Sequence, residues 1–229
     1  MHQYAIPLQL QEMIYDHYPV RKIMKGCYVF QESTPAKELF FILEGKVQLS
    51  KIIPDGRELA LRVCSRNEIV GEMVLFSSSP KYMMNAKMIE AGKVAVIPKV
   101  DLEEKITLNG ELAIGVMKWL ADQYRITQTK FRDLILHGKK GALYSTLIRL
   151  TNSYGVKHEA GITISLPLTN QDLANFCGTS REGINRMLSE LRNYRIISSE
   201  KGIITIHDLE HLKREIHCED CPIEVCNIE

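Results

Sequence analysis

The chain is poor in aromatic residues (7%, with one Trp) and has almost no charge imbalance: 29 Lys and Arg face 28 Asp and Glu, for a net charge of +1. Near-neutrality excludes a surface coated with cations, so any anion-reading face must be local. No apolar run approaches the ~18 residues that a membrane span requires, so no membrane partner is expected. The opening Met1-His2-Gln3-Tyr4 lacks the basic and then apolar layout of a secretory signal, which points to a cytoplasmic protein. Internal repeats and low-complexity tracts are missing as well. At 229 residues, with 45% apolar and 25% charged residues, the composition is that of one or two globular domains. Such a chain buries enough surface to fold without a metal or a disulfide. Against that plain background the cysteines stand out. Cys27, Cys64 and Cys177 are isolated, but Cys218, Cys221 and Cys226 crowd the last stretch. In a reducing compartment, clustered cysteines more often bind metal than form disulfides.

Residues 20 to about 100 read as all-β. Apolar runs such as Leu39–Leu43, Leu59–Val63 and Val94–Ile97 are punctuated by Lys25-Gly26, Glu44-Gly45, Pro54-Asp55-Gly56 and Ala91-Gly92, which read as turns. Many short strands of this kind suggest a sandwich or barrel. From about 107 to 137 the period changes. Ala113, Met117, Leu120, Tyr124, Thr127, Phe131 and Leu134 alternate four and three apart, a heptad seam on one long helix. Packing on its own domain is one use of such a seam, and pairing with a second copy in a homodimer is the stronger one. Gly138-Lys139-Lys140-Gly141 then breaks the helix as a hinge. Beyond it, Leu143, Leu147, Ile148 and Leu150 mark an amphipathic helix, 169–194 gives two more split at Gly178, and 203–206 is a strand leaving a Lys201-Gly202 turn. A short helix over about 208–216 leads into the cysteine tail. The expected divisions are 1–106, a long helix 107–137, a domain 138–212 and a tail 213–229.

Residues 168–188 have a helix-turn-helix layout. Thr169 can cap the first helix with Asp172 as its reciprocal partner. Gly178 permits the sharp turn, and Ser180 can cap the second helix. On that second helix Ile184, Met187, Leu188 and Leu191 share an apolar face. Arg181, Glu182, Asn185 and Arg186 share the opposite face near the N-terminal end, the end that enters a major groove. Arg pairs bidentately with guanine and Glu accepts from cytosine, each good pair discriminating by roughly 1–3 kcal/mol. A solvated face laced by i,i+4 pairs is the plainer alternative, but the caps, the turn glycine and the following hairpin all agree with the reading helix.

In the tail, Cys218-Glu219-Asp220-Cys221-Pro222-Ile223-Glu224-Val225-Cys226 has the spacing C-x2-C-x4-C. Thiolates suit both zinc and iron–sulfur groups, and proline directly after a ligand is a ferredoxin-like feature. Zinc needs a fourth ligand, for which His217 and His211 are near in sequence. Weakly structural cysteines and disulfide redox chemistry are further alternatives, and the residues alone leave all four open.

Taken in order, these segments resemble the CRP/FNR family of bacterial transcription regulators over nearly the whole chain. The resemblance rests on Phe40–Val47, Asp55-Gly56-Arg57-Glu58 and Val70-Gly71-Glu72, on the long helix, and on Ser180-Arg181-Glu182 followed by Arg186. It implies an α+β fold: an N-terminal β-roll of the cyclic-nucleotide-binding, double-stranded β-helix kind, a long dimerisation helix and a C-terminal winged helix-turn-helix. It implies that Arg181 and Arg186 read guanines and Glu182 a cytosine in TGTGA-type half-sites of promoter DNA, with Thr169, Ser180 and Asn185 contributing, and that RNA polymerase is a partner. Members that bind cyclic nucleotides follow their Gly-Glu pair with Arg-Ser or Arg-Thr about ten residues on. Here Tyr82 and Met83 stand at that place, and methionine offers an anion no donor. No cyclic nucleotide is expected, and Glu72 is expected to be structural.

The tail resembles the Bacillus-type FNR branch, whose cluster cysteines lie at the C-terminus. That likeness implies a [4Fe–4S] cluster held by Cys218, Cys221 and Cys226, with Asp133 of the Phe131–Leu136 segment as fourth ligand. Oxygen would then destroy the cluster, free the tail and lower DNA affinity, while the dimer persists. The expected function is an oxygen- or redox-responsive regulator, mainly an activator of genes for anaerobic life. The alternative is a small-molecule-gated regulator with a structural zinc tail. An enzyme is not expected, because no nucleophile–base pair or phosphate loop is present.

Overall fold

The computed structural model describes residues 6–52, 55–56, 58–78, 80–223 and 225–228. Met1–Tyr4 of the expected start, Pro54 and Arg57 of the expected loop, and Glu224 of the tail lie outside the described residues. The chain forms two compact units. One comprises the residues to Gly56 and Leu61–Gln123; the other comprises Tyr124–Ile228 and the short stretch ending at Ala60. No helix among the described residues is long and apolar enough to cross a membrane.

The first unit is built on antiparallel strands β1 (Val20–Ile23), β2 (Tyr28–Phe30), β3 (Glu38–Ile52), β4 (Glu58–Cys64), β5 (Ile69–Val70) and β6 (Asn85–Pro98). The order is β1-β6-β3-β4, with β2 on β6 and β5 on β3. Glu44-Gly45 and Ala91-Gly92, read from sequence as turns, are interior to β3 and β6 and face each other across their ladder. The register slips there, a β-bulge rather than a hairpin. The reason is close approach of the two backbones: a Cβ on Gly92 would stand 1.9 Å from the Glu44 carbonyl oxygen. Glycine at that point lets two long strands stay paired where a larger residue would force them apart. Leu39, Phe40, Phe41, Ile69, Met88 and Ile97 fill the core.

Three helices seal that core. Helix α1 (Leu8–His17), which the sequence reading did not identify, sends in Leu10 and Ile14 at i,i+4 spacing. Helix α2 (Lys99–Leu108) sends in Leu102 and Ile106. Helix α3 (Gly110–Tyr154) starts three residues later than the expected long helix, because the Asn109 side chain caps it by accepting from the Leu112 amide at 3.1 Å. Its stripe Leu112, Val116 and Trp119 is buried, each such side chain stabilising the fold by roughly 1.5–3 kcal/mol. Of the heptad seam, Ala113 and Leu120 pack partly on this core. Met117, Tyr124 and Phe131 are 60–64% exposed, an apolar stripe on the other side of the helix. Helix α3 breaks at Gly138 (φ 59°, ψ −157°), where the hinge was expected.

The second unit has a four-stranded antiparallel sheet in the order β7 (Gly155–His158), β8 (Gly161–Ile164), β10 (Ile203–Ile206), β9 (Ile197–Glu200). The sequence reading expected one hairpin here and missed the β7–β8 pair, in which β7 is exposed throughout and β8 carries Ile162 and the buried Ile164. Helices α4 (Asn170–Phe176), α5 (Arg181–Asn193) and α6 (Leu209–Glu215) pack with the last turns of α3 around Leu143, Leu147, Leu173, Ile184 and Leu212. The whole is the expected α+β architecture.

Candidate nucleic-acid interface and metal centre

The helix-turn-helix forms as its caps require. Thr169 Oγ1 accepts from the Asp172 amide at 3.1 Å, while the Thr169 amide donates to Asp172 Oδ2 at 2.8 Å. Gly178 takes φ +58° in the turn, and Ser180 Oγ accepts from the Gly183 amide at 3.1 Å. Ile184, Leu188 and Leu191 are buried, so α5 can rotate only one way. That leaves Arg181, Glu182, Asn185 and Arg186 all exposed on one face, with Asn185 steadied by a hydrogen bond from Asn170 at 3.2 Å. Lys139, beside the α3 break, lines an open cleft with Ser180, Glu182 and Arg186. The sequence reading treated Lys139 only as part of a hinge. Strands β9 and β10, joined at Lys201-Gly202, form the wing.

In the first unit Gly71 and Glu72 line a small cavity with Phe30, Tyr82 and Met83. The buried Arg62 guanidinium pairs with Glu68 at 2.8 Å and Glu72 at 3.4 Å. The structure thus gives Glu72 a structural partner, as expected. Tyr82 stacks on Phe30 with ring centroids 4.0 Å apart, and its hydroxyl donates to the Glu38 carbonyl at 2.7 Å. Burial pushes the Tyr82 phenol up to about 12.

The cysteine tail docks on the part of α3 after Gly138. Arg149 Nη1 donates to the Val225 carbonyl at 3.0 Å, Asn152 Nδ2 to the Cys226 carbonyl at 2.6 Å, and the Ile228 amide to Ser153 Oγ at 3.1 Å. Val225 and Ile228 are buried. The Pro222 carbonyl accepts from the amides of Val225 and Cys226, which curls the loop back on itself.

Asp133 is 5% exposed and lies in the same neighbourhood. Its Oδ2 accepts from Ser145 Oγ at 2.6 Å and Arg149 Nη2 at 2.8 Å. Its Oδ1 accepts from Arg132 Nε at 3.1 Å and Nη2 at 2.9 Å. Burial alone would raise this carboxyl, but the bonds from Ser145, Arg149 and Arg132 outweigh it and hold the group below the ordinary carboxylate range. Arg132 also bonds Glu219 and interacts with Cys221. Burial raises the Cys226 thiol, Arg149 opposes the rise, and the charges of Cys218, Cys221 and Asp133 reinforce it.

The three thiols are therefore free, half-buried and within one another's field, with Asp133 near Cys226. As the side chains stand, no three His, Cys, Asp or Glu among the described residues are close enough to hold a metal ion. In identity and number the set fits a four-coordinate group: three soft thiolates, one carboxylate, and two arginines that favour the anionic forms. His211 and His217 face Tyr144 and His137 respectively. Of the other cysteines, Cys64 and Cys177 are buried as expected, and burial pushes the Cys177 thiol up to about 12, an inert form.

Comparison with known proteins matches residues 20–109 to the cyclic nucleotide-binding domain and 141–215 to the Crp-like helix-turn-helix domain. The chain is 48% identical over 225 residues to the anaerobic regulatory protein of Bacillus subtilis (strain 168), covering 98% of this chain and 94% of that one. It is 27% identical over 190 residues to the CRP-like cAMP-activated global transcriptional regulator of Mycobacterium tuberculosis, covering 83% of this chain and 84% of that one. Among solved structures, FixK2 from Bradyrhizobium japonicum shares the fold with a TM-score of 0.73 at 18% identity, covering 86% and 96% of the two chains.

Proposed function

The chain belongs to the CRP/FNR family of transcription regulators, and on that premise we propose that it is an oxygen- or redox-responsive regulator of genes for anaerobic life. It acts in the cytoplasm as a homodimer, is not an enzyme, and recruits RNA polymerase to promoter DNA. Arg181 and Arg186 read guanines and Glu182 a cytosine in inverted TGTGA-type half-sites, whose centres lie one helical turn, ~34–36 Å, apart. The exposed Met117, Tyr124 and Phe131 stripe supports pairing with a second copy.

The observation that carries the reading is the docking of the tail that bears Cys218, Cys221 and Cys226 on α3, where Arg149 holds both the Val225 carbonyl and Asp133, and Arg132 holds both Asp133 and Glu219. When bound there, a [4Fe–4S] cluster supplies an oxygen-labile join between three thiolates and one carboxylate. The chain's own part is to bring the ligands from both sides of the Gly138 break. Asp133 precedes it, the cysteines follow the DNA-reading domain, and gripping both ties helix α3 to the tail. Arg149, Asn152 and Ser153 keep the tail near α3 through protein contacts alone. Loss of the grip therefore loosens the tail rather than casting it off, and the recognition helices lose their competent pose.

No cyclic nucleotide takes part. Glu72 is committed to Arg62, and Tyr82 and Met83 bring no cation to the place where the phosphate would sit.

The test is to purify the protein without oxygen, count iron and sulfide, record visible absorption, and measure binding to a TGTGA inverted repeat before and after air. Iron and sulfide in equal amounts, with binding that falls in air, is the expected result. Zinc without sulfide, and binding indifferent to air, would replace this reading with a structural zinc tail.

A further inference from the structure

Asp133 is the one candidate ligand whose bonding capacity is already taken up. A carboxylate has about four acceptor sites. This one receives four hydrogen bonds: from Ser145 and Arg149 on Oδ2, and from two nitrogens of Arg132 on Oδ1. A bond from Asp133 to a metal must displace at least one of them.

The two oxygens are not equivalent. The donors on Oδ2 are buried. Arg149 has a side chain 4% exposed, and among the described residues Asp133 is its one acidic partner. Parting them would strand a cation away from water, which is costly. Arg149 also holds Ser145 Oγ at 3.2 Å and the Val225 carbonyl of the tail. The donor on Oδ1 is different in kind. Arg132 is 31% exposed, bonds Glu219 and interacts with Cys221. It can release Asp133 and remain solvated and paired on the cysteine side.

We propose that the two arginines divide the work around Asp133: Arg149, with Ser145, positions the carboxylate through Oδ2, and Arg132 guards Oδ1, the oxygen that passes to the metal when the cysteines take up iron. The step is a ligand exchange. At Asp133 two N–H···O bonds from Arg132 break and one metal–oxygen bond forms with no electron or proton transferred there, while the cysteine thiols give their protons to solvent as they bind. Arg132 is a competitor for the fourth ligand and Arg149 a positioning residue for it. Removing the first strengthens the grip on iron and weakening the second loosens it. The inference rests on the iron reading given above.

The test uses the full chain as wild type, Arg132→Ala, Arg149→Lys, Asp133→Asn and the double variant Asp133→Asn/Arg132→Ala. Each is reconstituted without oxygen with ferrous iron and sulfide, its absorption spectrum and iron count recorded, and iron loss to EDTA timed. Arg132→Ala keeps the wild-type spectrum and retains iron roughly twofold to fivefold longer, the size of one partly exposed charged contact. Arg149→Lys loses iron roughly tenfold to hundredfold faster, as removal of an outer partner of a metal ligand does. In the Asp133→Asn background the gain from Arg132→Ala disappears, which a general charge effect on the thiols would not produce. Arg132→Ala retaining iron no longer than wild type overturns the proposal, as does a gain that survives Asp133→Asn. Should Arg149→Lys fail to fold by circular dichroism, the Arg132 and Asp133 arms still decide. Wild type that takes up no iron sinks the underlying reading and this inference together. Wild type that binds iron without the Arg132 effect sinks the inference alone.

Discussion

Each compact unit buries an arginine against carboxylates, and the two groups have different company. In the first unit Arg62 lies 2.8 Å from Glu68 and 3.4 Å from Glu72, and Phe30 and Tyr82 stack on each other nearby. In the second unit Arg149 lies 2.8 Å from Asp133, but a tail carbonyl and the field of the Cys226 thiol share the space. The ionic chemistry is nearly the same. The neighbours differ: two glutamates and the single buried Cys64 in one place, three cysteines on a short tail in the other. A buried ion pair is a fixed strut where nothing else competes for its members. It becomes exchangeable where a second set of ligands stands beside it.

The largest expected effect separates the two directly. Arg62→Ala and Arg149→Ala should each cost about 3–5 kcal/mol in urea unfolding, because each strands buried carboxylate. Only Arg149→Ala should also abolish iron retention, and loss of iron in both variants would break the comparison. The next effect belongs to the reading face of the second unit. Arg181→Ala should weaken DNA binding by roughly 1–3 kcal/mol and relax the preference for guanine at one position of each half-site, read by titration against substituted sites.

Smaller still is the cap. Thr169→Ala removes the acceptor for the Asp172 amide and should lower stability by about 1 kcal/mol, measured as a shift in the unfolding midpoint with iron content unchanged. The last effect belongs to the first unit. The Tyr82 phenol is pushed from 10.0 up to about 12 by burial. Its neutral form is the one the fold favours, so its contribution is complete below pH 10 and is lost as pH rises toward 12. Unfolding followed across that window should show a decline that Tyr82→Phe reduces.

Much of this was legible in the sequence, and for identifiable reasons. The caps Thr169 and Ser180, the inward Ile184, Leu188 and Leu191, and the outward Arg181, Glu182, Asn185 and Arg186 all follow from local rules of spacing and side-chain chemistry, and the structure places each as those rules require. The break at Gly138 was legible for the same reason. Glu44-Gly45 and Ala91-Gly92 were misread because a glycine that ends a strand and one that lets two strands touch look alike until the partner strand is known. The β7–β8 hairpin was hidden because both strands are short and β7 is exposed throughout, although β8 alternates Ile162 and Ile164. At the tail, the cysteine spacing was plain, whereas Asp133 came from family resemblance alone. The roles of Arg132 and Arg149 depend on contacts across long sequence separations. One clue was present: Arg149 interrupts the apolar run Leu147-Ile148-Arg149-Leu150, and a cation on a buried face requires an anion nearby.

The most direct measurement replaces the tail ligands. The variant Cys218→Ser, Cys221→Ser, Cys226→Ser is compared with wild type for dimerisation by size exclusion and for occupancy of a TGTGA inverted repeat, without oxygen and then in air. The account predicts dimers in both, high anaerobic occupancy that falls in air for wild type, and low occupancy throughout for the variant. Anaerobic occupancy equal to wild type in the variant would contradict it.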